Sequence, residues 1–378
     1  MKKKLVTIIL ALTMTAGLSA CGSPDSKPSG ADASSAASSG TKAGTEEASS
    51  SASGEAGGGE VDPSALTVAV SLGWLENEAG MRQKQGYEET FQELGISDYS
   101  FVDANYDPVL QSQQIESIIQ AKPDLLFITP SDPNGITEAV QHAVDAGIPV
   151  FCSDGTVNGV DGIISQCVID NYSGGYATMS YLAEKMGGKG NVGMIYLDSN
   201  ESWHKRDLAA LDVIEKYPDI HIVAEWSWDS TGVITPRMGV DDMLAANPNA
   251  GDIDAIWAAW DGGCFEGIQA CQAAGRTEII FAGFDGGEEA CNMIINDPQF
   301  VVCNAPCIYN QGRTVVLNAI DYLNGKEVEP LIYADNAVLT EEDLSPIELE
   351  DGEKIYDYDK PGMLEKWGIT KAPTVEQP

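Results

Sequence analysis

Two hydrophobic rhythms share this chain from Leu66 onward. Short apolar runs rich in Val, Ile and Phe occupy residues 66–72, 99–104, 124–130, 148–153 and 163–169. Between them, residues 77–94, 108–121 and 134–146 space their apolar positions as helices do. Gly95 and Gly147 follow two of these stretches and Pro108 opens another, the usual stop and start residues of helices. The alternation then restarts, with helices expected over 171–187, 203–216, 232–246, 263–274, 286–296 and 309–323. Strands are expected over 191–197, 220–226, 254–260, 278–283 and 300–305, with a last extended piece over 330–339. Short apolar strands alternating with helices imply βαβ units and parallel sheets covered on both faces. The pattern therefore predicts an α/β protein of two doubly wound halves, breaking near Ile169 and Asp170. Residues 345–378 are weakly patterned and are expected to run over the surface, with one short helix around 361–367.

In open α/β sheets, ligands bind beyond the carboxyl ends of the strands. Asp285, in the stretch EIIFAGFDGG, sits just past a strand and beside a helix start. Taken alone, it reads most simply as a cap for that helix. Similar residues recur at other strand ends: Trp74 and Asn77 after the first, Asp154 after the fourth. In the second half, Asp198 to His204, Trp228-Asp229 and Trp260-Asp261 follow three further strands. Aromatic and carboxylate side chains together suit a sugar. An indole stacks on the C–H face of the ring, worth about 0.5–1.5 kcal/mol beyond area burial. Carboxylates accept from its hydroxyls in bonds about twice as strong as neutral ones. Trp257 reads as core, whereas Trp228 and Trp260 read equally well as core or site.

Composition narrows the classes. The formal net charge of the 378 residues is -37, which repels a phosphate backbone and argues against nucleic-acid binding. No GxSxG, HExxH or P-loop occurs. Residues 188–193 fit GxGxxG but precede a strand, so they read as a helix stop and turn. His204 is a lone candidate base without a nucleophile, so no enzyme and no cofactor is expected. The three histidines are scattered and CxxC is absent; Cys303-x-x-x-Cys307 is a weak metal or disulfide signal, and no metal is expected. Seven cysteines remain besides Cys21, an odd number, and several lie in apolar runs where Cys acts as a small hydrophobe.

The first 21 residues read as a targeting segment, with Lys2, Lys3 and Lys4 ahead of a short apolar run. That run is too short for a stable span. Leu18-Ser19-Ala20-Cys21 resembles the lipobox of bacterial lipoproteins. The resemblance implies that Cys21 is lipidated and anchors the chain to the outer face of the cytoplasmic membrane of a Gram-positive cell. Residues 22–60, mostly Ser, Ala and Gly, read as a flexible tether with a root-mean-square span of about 35 Å.

From about Leu66 to Leu339 the chain resembles the type I periplasmic binding proteins of sugar ABC importers, the ribose- and galactose-binding family. The landmarks are IPVFCSDG, DNYSGG at 170–175, AAWDGGCFEGIQACQAAG and IIFAGFDG. The resemblance implies two Rossmann-like lobes joined by three hinge crossings, near 169–170, 305–306 and 335–336. One lobe would take 61–169 and 306–335, the other 170–305 and 336–378. It implies a monomer that closes on a monosaccharide or polyol and delivers it to a membrane permease.

Carried over by position, Asn77 matches a polar ligand contact, and Asp154 and Asp285 match sugar-binding carboxylates, both expected from the first lobe or its hinge edge. Trp228 matches the stacking aromatic of the second lobe; Trp260 stands where the family often has Asn, and Asp261 follows it as in the family. Gly155 stands where ribose binders have Arg, and His204 occupies the place of a second ligand-binding Arg, with Arg206 two residues on. Ala79-Gly80 replaces an expected aromatic pair, leaving Trp74 to stack instead. These departures weigh against ribose itself. Tryptophans with carboxylates and little Arg also suit an amine or quaternary ammonium ion, and a nucleoside or signalling furanone fits the same fold. A sugar-responsive repressor shares the fold, but the lipobox and the missing helix-turn-helix segment argue against it.

Overall fold

The computed structural model describes residues 60–198, 200–228 and 232–377. The expectations for Cys21, the leader, the tether and Asp229 lie outside the described residues.

The chain builds two six-stranded sheets. It begins with β1 (Thr67–Leu72), α1 (Glu78–Leu94), β2 (Asp98–Asp103), α2 (Pro108–Ala121), β3 (Leu125–Thr129), α3 (Thr137–Asp145), β4 (Val150–Asp154) and β5 (Ser165–Val168). It continues with α4 (Asn171–Lys185), β6 (Lys189–Tyr196), α5 (Glu201–Ile214), β7 (Asp219–Ser227), α6 (Pro236–Ala246) and β8 (Ala255–Ala258). Then come α7 (Asp261–Ala273), β9 (Ile280–Phe284), α8 (Glu288–Asn296), β10 (Phe300–Pro306), α9 (Ile308–Leu323), β11 (Leu331–Tyr333) and β12 (Asn336–Leu339). Two short helices, α10 (Glu341–Leu344) and α11 (Met363–Trp367), lie in the tail.

The first sheet runs β11-β5-β4-β3-β1-β2, and every pair in it is parallel. The second runs β12-β10-β9-β8-β6-β7, with β12 antiparallel at its edge. Each order reverses direction once, between β1 and β3 and between β6 and β8, and such a switch point opens a crevice at the strand ends. The chain passes between the sheets after β5, after β10 and between β11 and β12. The expected pair of doubly wound lobes is therefore present.

Local chemistry explains the boundaries. Asp107 accepts from two backbone N–H groups at the start of α2 and Pro108 follows it, while Gly95 ends α1 in a left-handed conformation. The core strands β3 and β4 are buried along their whole length. Among the described residues, no helix is long and apolar enough to cross a membrane.

The extended piece over 330–339 divides at residues 334–335, beside the crossing expected near 335–336, so that β11 and β12 join different sheets. One expectation changes in part: most of the tail is exposed and carries the short helix α11, but Tyr358, Leu364 and Ile369 enter the core of the second lobe. Asp357 and Asp359 are buried against Arg82 of α1. Single apolar residues spaced through an acidic segment give no periodicity, so the packing partner decides the outcome. The seven cysteines of the described residues are free and buried, Cys303 and Cys307 included.

Candidate functional site

The carboxylate that ends β4 and the one that follows β9 share an uncommon backbone. Asp154 has φ of 68° and Asp285 of 99°, left-handed values that cost a non-glycine residue on the order of 1–3 kcal/mol and cluster at ligand sites. Asp285 does not cap α8, because Gly287 holds the N-cap position without a side-chain bond. Its carboxylate instead accepts from Arg206 Nη1 at 2.9 Å. Asp285 belongs to the second sheet, at the end of β9, rather than to the first lobe, since β9 lies between β8 and β10.

Arg206 organises the floor of the site. Its Nε donates to Asn171 Oδ1 at 2.7 Å and its Nη1 to the Ala259 carbonyl at 2.8 Å. Its guanidinium lies 3.6 Å above the centre of the Phe284 ring. The close approach of α4 and α5 that this needs depends on Gly175, where a Cβ would come within 2.5 Å of the Arg206 carbonyl oxygen.

Aromatic rings form the walls. Trp74 stacks on Tyr106, with ring centres 5.7 Å apart and planes 10° apart, and meets Trp203 of the other lobe edge-on at 5.5 Å. Trp228 and Trp260 lie 6.0 Å apart in the second lobe. Gly262 gives the Trp260 indole room over the start of α7, since a Cβ there would sit 2.9 Å from the indole nitrogen. Asn77 caps α1 by accepting from Gly80 N, and its amide donates to Tyr106 Oη at 2.8 Å. The lobes also touch at the rim, where Asn134 and Asn158 of one both donate to Glu201 of the other.

Together these residues enclose a cavity of about 380 Å³ that draws its lining from both lobes. Seven of the eight expected site residues line it: Trp74, Asn77, Asp154, Trp228, Trp260, Asp261 and Asp285. Trp257 is buried in the core and donates to Thr178, as its place in an apolar run implies. A wider cleft of about 870 Å³ lies between α1 and α8. It lacks the indoles and the buried carboxylates, so the smaller cavity is the better-built site.

His204 is the exception. It is absent from the lining and turns its Nδ1 to Asp198 at 3.0 Å and Asp207 at 3.4 Å. Helix geometry gives the reason: positions 203 and 206 share a face toward the cavity, whereas 204 is rotated away. Trp203 and Arg206, and not His204, therefore line the cavity at this helix. Asp198, His204 and Asp207 also bring ligand-type atoms within 4.8 Å of one another, a grouping able to hold a divalent ion. Tyr106, Trp203 and Glu78 were not anticipated from the strand ends. The signal for Trp203 was its three-residue spacing to Arg206.

The electrostatics follow from burial. Burial pushes Asp154 up to about 7; Arg206 opposes the rise and Asp285 adds to it. Asp261 is pushed well above the usual carboxylate range by burial, then by Asp285. Burial, then Asp285, also raises Tyr106 to about 12. The cavity thus presents apolar faces ringed by acceptors that want donors.

Residues 68–327 match the periplasmic binding protein domain family. The chain belongs to that family. Members of it serve transporters as binding proteins rather than as enzymes. This binding protein is 27% identical to the D-apiose import binding protein of Actinobacillus succinogenes, over 66% of this chain and 81% of the relative. It is 26% identical to the ribose import binding protein of Bacillus subtilis, over 71% of this chain and 85% of that one. Among solved structures it is similar to an ABC sugar transporter subunit from Rhodobacter sphaeroides, with TM-score 0.67 and 28% identity, covering 73% of this chain and 98% of that one. It is similar again, with TM-score 0.67 and 26% identity, to an Actinobacillus succinogenes solute binding protein with bound D-allose, covering 73% and 98%.

Proposed function

We propose that this chain is the extracytoplasmic binding component of an ABC importer, capturing a monosaccharide or related polyol between two closing lobes for a membrane permease. The observation that carries this reading is the cavity between the lobes, with indoles on its walls and carboxylates among them, Asp154 buried and Asp261 and Asp285 half-buried. Relatives named for apiose and ribose import support the ligand class. Neither lobe alone surrounds a ligand, so binding favours the closed arrangement by the difference in contacts. Moving such an equilibrium from mostly open to mostly closed takes about 5.5 kcal/mol, which a stack and several charge-assisted bonds can supply. Asp154, Asp261 and Asp285 hold hydroxyls, Trp228 and Trp260 stack, and Arg206 positions Asp285. A thermal-shift panel of sugars and polyols identifies the best binder. Small-angle scattering with that binder at saturation should then show a smaller radius of gyration than without it. Confirmed binding with an unchanged radius would overturn the closing mechanism.

The chain is further proposed to act as a monomer, as the family resemblance implies, and to be lipid-anchored through Cys21, on the strength of the lipobox pattern at 18–21. Stable anchoring needs more than one acyl chain, which a diacylated amino-terminal cysteine would provide. Cys21→Ser is expected to move the protein from the membrane fraction to the medium in a Gram-positive host. Retention at the membrane would reject the anchor.

A further inference from the structure

The cavity gathers more carboxyl groups than its cations pair. Asp154, Asp261 and Asp285 line it, with Glu78 and Glu289 beside them. Among the described residues, Arg206 is the one basic side chain in that lining, and its Nη1 is committed to Asp285 and to the Ala259 carbonyl. Asp154 and Asp261 form no ion pair among the described residues, where Asp285 has Arg206. Asp261 is half-buried at the start of α7 and lies in the fields of Asp285 and Glu78. Buried carboxylates without counter-charge either take up protons or wait for a cation.

The walls favour the second outcome. Trp260 precedes Asp261 in the chain and lies 6.0 Å from Trp228, and all three line the same cavity, which puts two indoles and an unpaired carboxyl group in one site. Indole faces attract cations more strongly than other aromatic rings do, most of all in desolvated sites. An ammonium would supply charge and N–H donors to the carboxylates there. The C–H face of a ring carrying it would still stack on the indoles. Glucose-like and galactose-like hydroxyls supply donors but no charge.

Resting on the reading of a sugar or polyol binder, we infer that the ligand carries a protonated nitrogen: an amino sugar or amino polyol, its ammonium held at the Asp261 corner between Trp228 and Trp260. The test is calorimetry on the full chain with matched pairs that differ only in amine for hydroxyl. Suitable pairs are D-glucosamine against D-glucose, D-galactosamine against D-galactose, and 1-amino-1-deoxy-D-sorbitol against D-sorbitol. At least one amine should bind about tenfold or more tightly than its hydroxyl partner. Its N-acetyl derivative, which keeps the nitrogen but loses the charge, should lose that gain. Asp261→Asn, with its fold checked by thermal unfolding, should bring the ratio within the pair close to one. Neutral members that bind as tightly as their amines would overturn the ammonium and leave sugar binding intact. Binding by neither series would overturn both.

Discussion

Arg206→Leu is expected to abolish measurable ligand binding and to destabilise the fold by about 3–5 kcal/mol, the cost of breaking a buried ion pair from one side. The guanidinium is almost fully buried and joins Asn171 of α4, the Ala259 carbonyl after β8, and Asp285 after β9. Leucine fills part of the volume and faces the Phe284 ring, but it satisfies none of those acceptors. Asp285 would then add an unpaired charge to a site that already holds Asp154 and Asp261. Asp285→Ala and Asp154→Ala should each weaken binding by about 2–5 kcal/mol, with the first also leaving Arg206 unpaired. Urea unfolding and calorimetry with the best binder measure both effects. A leucine variant with a normal midpoint and normal affinity would remove Arg206 from the centre of the site.

Arg82→Lys should be nearly as damaging to stability as Arg82→Ala, about 3–5 kcal/mol in each case. Arg82 projects from α1, and its Nε donates to Asp359 Oδ2 at 3.1 Å. Its Nη2 pairs with Asp359 as well and lies 3.5 Å from Asp357. The guanidinium also lies 4.8 Å from the ring centre of Tyr356 and 5.3 Å from that of Tyr309. All three charged residues are buried, so removing the cation leaves two carboxylates with little access to water. Lys360 reaches only Asp357, at 3.2 Å. A lysine at 82 keeps the charge but loses the planar fork and the stacking on two rings. Chemical denaturation and limited proteolysis of the tail check this. Full stability in the lysine variant would show that charge alone suffices and that the paired geometry is incidental.

Much of the cavity was legible because sheet topology is written in local pattern. A parallel strand buried on both faces must be apolar, so a Trp or Asp placed just past its end stands out, as Trp74, Asp154, Trp260 and Asp285 do. His204 lies outside the lining for a local reason too: the start of α5 at Glu201 turns 203 and 206 inward and 204 outward. Tyr106 gave no such signal, because it lies in the turn after β2, with φ of 62°, and enters the site by stacking on Trp74.

Periodicity and residue type by themselves determined that this chain forms two doubly wound α/β halves, and which strand ends carry aromatic and acidic side chains. Each of those features depends on neighbours a few positions away. Only the tertiary structure decided that Asp285 pairs with Arg206 instead of capping a helix, and that Trp203 meets Trp74 across the cleft. The same holds for the acidic tail buried on Arg82, 277 positions from Asp359. Pairings at that separation depend on how two lobes and a returning chain come together, and a buried charge is tolerable only where its partner arrives.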